Sequence, residues 1–201
     1  MFEITQLTLT IQIITAIIML STIFIVEKIR TSKQKTKFRW KNIIISIVSG
    51  ALLFLVFAEP IYIIKYFIFT QIMLYASNQD YNSHEVDDYI HPMICLTGLI
   101  GFSYYNAITM FAGAVAIFII EMIVFMVCKG NFMGGADVKF TTACGFLLGL
   151  QRGFIGLIIG LLLSVIVNMI IRKVKKLDKN TPFPLVPYLS IGMFAGIFML
   201  Y

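Results

Sequence analysis

The chain has 201 residues, 59% of them hydrophobic and 13% charged, with a mean hydropathy of +0.91. A soluble domain carries about 25% charged and about 45–50% apolar residues, so this composition excludes an ordinary soluble fold. The net charge of +6 does not indicate a nucleic-acid surface, because the basic residues cluster beside apolar runs, where they signal membrane topology.

Lipid satisfies no backbone hydrogen bonds, which leaves helices and closed barrels as spanning structures. Continuous apolar runs rather than alternation exclude the barrel. The expectation is one all-α, polytopic membrane bundle of about eight transmembrane segments, a single domain over residues 1–201 with the lipid bilayer as its solvent. Cys95, Cys128 and Cys144 are odd in number and form no C-x-x-C pair, so neither a disulfide framework nor a zinc site is expected, and no cofactor.

A spanning helix needs about 20 apolar residues. The first run, Leu7 to Val26, lacks a basic leader and a small-residue cleavage site and reads as an anchor rather than a signal peptide. Lys28 to Lys41 is strongly basic, with Lys28, Arg30, Lys33, Lys35, Lys37, Arg39 and Lys41. Two apolar runs follow, Ile43 to Ala58 and Ile61 to Ala76. A polar segment, Ser77 to His91, holds Asp80, Glu85, Asp87 and Asp88. A short fourth span is expected from Pro92 to Tyr105, and a fifth from Ala107 to Val127 with Glu121 inside it. The glycine-rich turn from Gly130 to Ala136 leads into a sixth run, Val138 to Leu150. The seventh covers Phe154 to Ile171 and ends in Arg172, Lys173, Lys175, Lys176 and Lys179. After Pro182, Pro184 and Pro187 an eighth run ends at Tyr201.

Cytoplasmic loops collect Lys and Arg. With the first basic stretch cytoplasmic, every second crossing returns the chain to that side, and all basic residues except Lys65 and Arg152 fall there. Asp80 and Asp137 then lie at the same, cytoplasmic, membrane face. Two carboxylates meeting at a half-dry boundary cannot both ionise cheaply, so they share a proton. One then activates water while its protonated partner polarises a carbonyl, the chemistry of an aspartyl protease. Gly134, Gly135 and small Ala136 leave the backbone before Asp137 open to a substrate strand. A helix resumes at Val138, and its dipole favours ionised Asp137 as the more acidic partner.

The run Gly134-Gly135-Ala136-Asp137-Val138-Lys139 resembles the GxGD-x-K signature of the prepilin and preflagellin peptidases, membrane aspartyl proteases. Asp80, followed after five residues by Val86, is similar to that family's first motif, with Asp87-Asp88 replacing the usual Pro-Asn. Thr181-Pro-Phe-Pro-Leu-Val-Pro187 is similar to the Ile-Pro-Phe-x-Pro segment before its last helix. The resemblance implies a short form that cuts basic leaders from pilin-like or flagellin-like subunits at the cytoplasmic membrane, with Asp80 and Asp137 catalytic and Gly134, Gly135, Ala136 and Lys139 at the substrate. Ala136 stands where the family usually has Gly. The cysteine-bearing cytoplasmic insert of the larger members is missing from the stretch Lys28–Lys41, which argues against zinc and against N-methyl transfer.

Plainer roles stand beside these. Asp80 also reads as a helix-end acid, Asp137 as an N-cap, Lys139 as a snorkelling anchor, Asp87 and Asp88 as solvated loop acids, and His84 and His91 as loop residues. Glu121 reads as a polar contact inside the bundle. Two other function classes compete: a small ion- or proton-coupled transporter using Asp80, Glu121 and Asp137 as its path, and an inactive assembly scaffold, at which only Ala136 hints.

Overall fold

The computed structural model describes residues 2–33, 40–127, 134–176 and 183–199. Among these the ordered elements are eight helices and no strands: α1 (Phe2–Lys33), α2 (Trp40–Val56), α3 (Pro60–Ser83), α4 (Ile90–Gly98), α5 (Tyr104–Val127), α6 (Gly135–Leu148), α7 (Leu150–Lys175) and α8 (Val186–Phe198). The expected all-α bundle is what the chain forms. Cys128, the turn residues 130–133, and the basic residues Lys35, Lys37, Arg39, Lys129 and Lys179 lie outside the described residues, as do Thr181 and Pro182.

Three segments, Thr10–Lys33, Tyr104–Val127 and Leu150–Lys175, are long and apolar enough to cross a bilayer. Their outward faces carry large apolar side chains such as Ile17, Ile108, Phe111, Leu162 and Val165. Exposed apolar surface on that scale would be a liability in water and is ordinary against lipid chains. The chain is therefore a membrane protein.

Helix ends follow local chemistry. Pro60 begins α3, where its missing N–H costs nothing, and His84 ends it in a left-handed turn (φ 54°). The fourth span departs from expectation. Helix α4 stops at Gly98 because residues 99–103 turn, with Gly101 at φ 66°. Its nine residues reach only about 14 Å, less than half of a hydrocarbon core of about 30 Å. Helix α6 is also short, at 14 residues. It is divided from α7 by Gly149, whose φ of 79° and ψ of 177° suit glycine alone.

The chain contacts divide inside α3 into two compact units, Met1–Gln71 and Ile72–Tyr201. In the first, α1 packs on α2 through a stripe of Thr15, Met19, Ile23, Glu27 and Arg30. Arg30 Nε donates to Glu27 Oε2 at 2.8 Å and Asn42 Nδ2 donates to the same oxygen at 3.3 Å, so this buried charge is compensated. In the second, α7 packs on α8, α6 on α4, α5 and α7, and Ile94, Ile117, Phe140, Leu189 and Met193 are fully buried between them.

Candidate active site

Several contacts locate one end of the second unit. Asp80, near the C-terminus of α3, accepts a hydrogen bond at Oδ2 from the Val186 backbone N–H, 2.9 Å away at the first residue of α8. Ser77 Oγ, three residues earlier, donates to Ser190 Oγ at 2.9 Å. Lys139 Nζ in α6 reaches Asp88 Oδ1 at 2.9 Å, just before α4. The C-terminus of α3 and the N-termini of α4, α6 and α8 thus converge.

Prolines shape the start of α8. Pro184 and Pro187 have no N–H and readily begin helices, which leaves the amides of Leu185 and Val186 free to face outward from the helix end. Burial raises the Asp80 carboxyl above its ordinary value of 3.8, against the opposing pull of the Val186 amide, His84 and the Leu185 amide, which favour the ionised form. Asp80 is 7% exposed.

Asp137 sits at the third residue of α6 and not at the N-cap, which is Gly134. Its Oδ2 accepts the Gly134 N–H at 2.9 Å, closing the first turn. Burial pushes its carboxyl up to about 6; the Gly134 amide pulls the other way, and the nearby charge of Asp80 pushes it further up. The sequence expectation that the helix dipole favours the ionised form of Asp137 meets a larger opposing effect: desolvation outweighs a dipole effect of about 0.3–1 kcal/mol, and both carboxyls lie above their ordinary value. Both acids lie outside the three long apolar spans and each faces the positive end of a helix.

The remaining expected residues surround this pair. Gly134 and Gly135 are exposed, and among the described residues a methyl group built on Gly135 meets nothing within 4 Å. Ala136 lies in the first turn of α6 and is not among the described residues with positive φ, so the backbone there does not demand glycine. Lys139 and Asp88 pair in the open, with side chains 61% and 83% exposed, and Lys139 holds the Asp88 carboxyl below its ordinary value. Gln79 Oε1 accepts the Asp87 N–H at 3.2 Å, and the hydroxyls of Tyr75 and Tyr89 meet at 2.8 Å. Together these contacts fasten the 84–89 segment to α3.

One residue differs from its sequence reading and another keeps it. His91 belongs to α4 rather than a loop and is only 8% exposed, its two ring nitrogens without partners among the described residues. Glu121 has the expected polar contact: Thr141 Oγ1 hydrogen-bonds its Oε2. Sequence reasoning missed Val186 and Thr141. For Val186 the Pro-x-x-Pro spacing was a usable signal; a threonine in an apolar helix carries none.

The sequence model of the type IV leader peptidase family matches residues 67–171, more than half of the chain. The matched segment contains both acids, the 84–89 segment and α4 to α6. Neither the curated proteins nor the solved structures yield a match.

Proposed function

The chain belongs to the type IV leader peptidase family, and from that membership we propose that it is an intramembrane aspartyl endopeptidase, removing the short basic leaders of prepilin-like or preflagellin-like subunits at the cytoplasmic face. The observation that carries this reading is that Asp80 and Asp137 are each bonded to a helix-terminal amide, Val186 for one and Gly134 for the other, with the charge of Asp80 near enough to add to the rise of the Asp137 carboxyl.

The pair divides the labour by its surroundings. Asp137, raised to about 6, holds the shared proton and hydrogen-bonds the scissile carbonyl oxygen. Asp80, steadied by the Val186 amide, stays ionised and takes a proton from the attacking water. Oxygen adds to the carbonyl carbon as Asp137 gives its proton to the carbonyl oxygen, and collapse of the resulting gem-diol breaks the C–N bond and returns one hydroxyl proton to Asp137. The proton gained by Asp80 leaves with the amine. No metal enters these steps.

Substrate approaches along the exposed backbone of Gly134 and Gly135, where among the described residues a methyl on Gly135 would meet nothing within 4 Å and one on Gly134 only the Asp137 carboxyl and the Ala136 amide, and Ala136 adds only a methyl group. Glu85, Asp87 and Asp88 give the flanking segment a negative charge suited to a basic leader, and Lys139 is tied to Asp88 until the leader competes for that carboxylate. A cytoplasmic orientation of the acids is supported by the sequence, in which all basic residues except Lys65 and Arg152 fall in every second connection between apolar runs, as Asp80 and Asp137 do.

The test is co-expression with a pilin-like precursor, comparing the wild type with Asp80→Asn and Asp137→Asn. Wild type trims the leader and both variants accumulate precursor. Equal processing by all three defeats the dyad.

A further inference from the structure

Glu121 is 1% exposed within a long apolar helix, a costly place for an acid, and the chemistry above does not use it. It lies on the seam between α5 and α6. Gly113, Ile117 and Glu121 recur every four residues along α5, and Asp137, Thr141 and Gly145 do so along α6. The stripes run antiparallel. A methyl on Gly113 would fall 2.6 Å from the Gly145 carbonyl oxygen, and one on Gly145 would fall 2.7 Å from Ile117 Cδ1. One step further along the seam, Thr141 Oγ1 bonds Glu121 Oε2. The same hydroxyl reaches the Asp137 carbonyl oxygen at 2.9 Å and that of Val138 at 3.1 Å. Glu121 Oε1 has no partner among the described residues.

We propose that Glu121 is a positioning residue for Asp137, acting through Thr141 to fix the first turn of α6. The helix interior from Phe140 onward is held by packing, whereas the turn that carries Asp137 begins at exposed Gly134 and Gly135 and is held by its own bond to the Gly134 N–H and by buried Val138. A hydrogen bond donated by Thr141 to a buried side chain of the neighbouring helix supplies a further anchor. Displacement of a reacting group by about 1 Å costs about 100-fold in rate, so a loosened turn reduces turnover more than binding. The role needs a hydrogen-bonding side chain of this length at position 121 rather than a charge.

This inference rests on the dyad reading. Its test is steady-state cleavage of a leader peptide by the full chain in detergent, with thermal unfolding measured alongside. Glu121→Leu lowers kcat about 10-fold or more with KM within about twofold, while Glu121→Gln keeps most of the activity. Thr141→Val reproduces the loss, Thr141→Ser retains activity, and the double variant Glu121→Leu/Thr141→Val is no worse than either single one, since both break the same link. Unchanged kcat in Glu121→Leu or Thr141→Val overturns the proposal, as does a Glu121→Gln variant as slow as Glu121→Leu, which would assign the role to the acid's proton or charge. Lowered stability with intact kcat reduces Glu121 to a structural contact. If Glu121→Leu does not accumulate, the comparison of Thr141→Val with Thr141→Ser decides. Should Asp137→Asn still cleave, it is the dyad that fails and not the seam.

Discussion

Replacing Asp137 by Asn makes the protein inactive and more stable at neutral pH. Burial moves its carboxyl from 3.8 to about 6, and about 1.4 kcal/mol per pH unit makes this a penalty of about 3 kcal/mol once the group is ionised. The sign follows from the direction of the displacement. The folded state binds the proton more tightly, so the contribution of Asp137 is fully present below 3.8 and is lost as pH rises through about 6. Asparagine has no charge to desolvate, and its Oδ1 still accepts the Gly134 N–H. Its amide group needs its own partners in a half-buried site, which lowers the net gain at pH 7 to about 1–3 kcal/mol. At about 2–4 °C per kcal/mol for a chain of this size, thermal unfolding followed by circular dichroism in detergent should rise by several degrees at pH 7 and hardly at all near pH 3.5. A variant no more stable than wild type at pH 7, or equally stabilised at both pH values, refutes the claim that Asp137 is desolvated.

Asp80 separates chemistry from architecture: Asp80→Asn keeps an acceptor for Val186 and loses cleavage without unfolding, whereas Asp80→Ala strands a buried amide and costs about 1–3 kcal/mol more in a denaturation comparison. The pH profile of kcat/KM should be bell-shaped, with activity falling as pH rises through about 6, where Asp137 releases the shared proton; a flat profile from 5 to 8 would contradict the assignment. Lys139→Gln breaks an exposed ion pair and should change stability by less than about 1 kcal/mol, with any catalytic effect seen in KM. Gly113→Ala forces a methyl against backbone of Gly145 and Gly149, and should cost about 1–3 kcal/mol or more in unfolding measurements while slowing cleavage.

The helices were legible because long apolar runs, broken by polar, basic and glycine- or proline-bearing stretches, read directly as helical segments. The short α4 was visible as a deficit of apolar length, but its end at Gly98 depends on a turn that several residues permit. Asp137 was placed near a helix start, and its acidity was misjudged because the dipole is written in the local sequence while burial comes from neighbouring helices. His91 was misread for the same reason. Its burial within α4, which holds the pKa of its ring below the ordinary 6.5, is set by tertiary packing. Glu121 was conspicuous, yet its partner lies twenty residues away and is found only once α5 and α6 are docked.

The same docking explains how a membrane protein keeps two poorly solvated acids at one end of its bundle. Their desolvation raises both carboxyls, and the repulsion between them adds to the cost. Each is met by an amide at a helix start, Val186 for Asp80 and Gly134 for Asp137. Those helices are anchored below the site, α8 by its packing on α7 and α6 by the seam with α5 at Gly113, Gly145 and Glu121. The amides offset only part of the cost, and the remainder keeps the proton of Asp137 loosely held near neutral pH. A stronger N-terminal bond at Asp137 would make the protein more stable and leave the carboxyl ionised when a scissile carbonyl arrives. The strain at this end of the bundle is therefore a condition of the proposed chemistry.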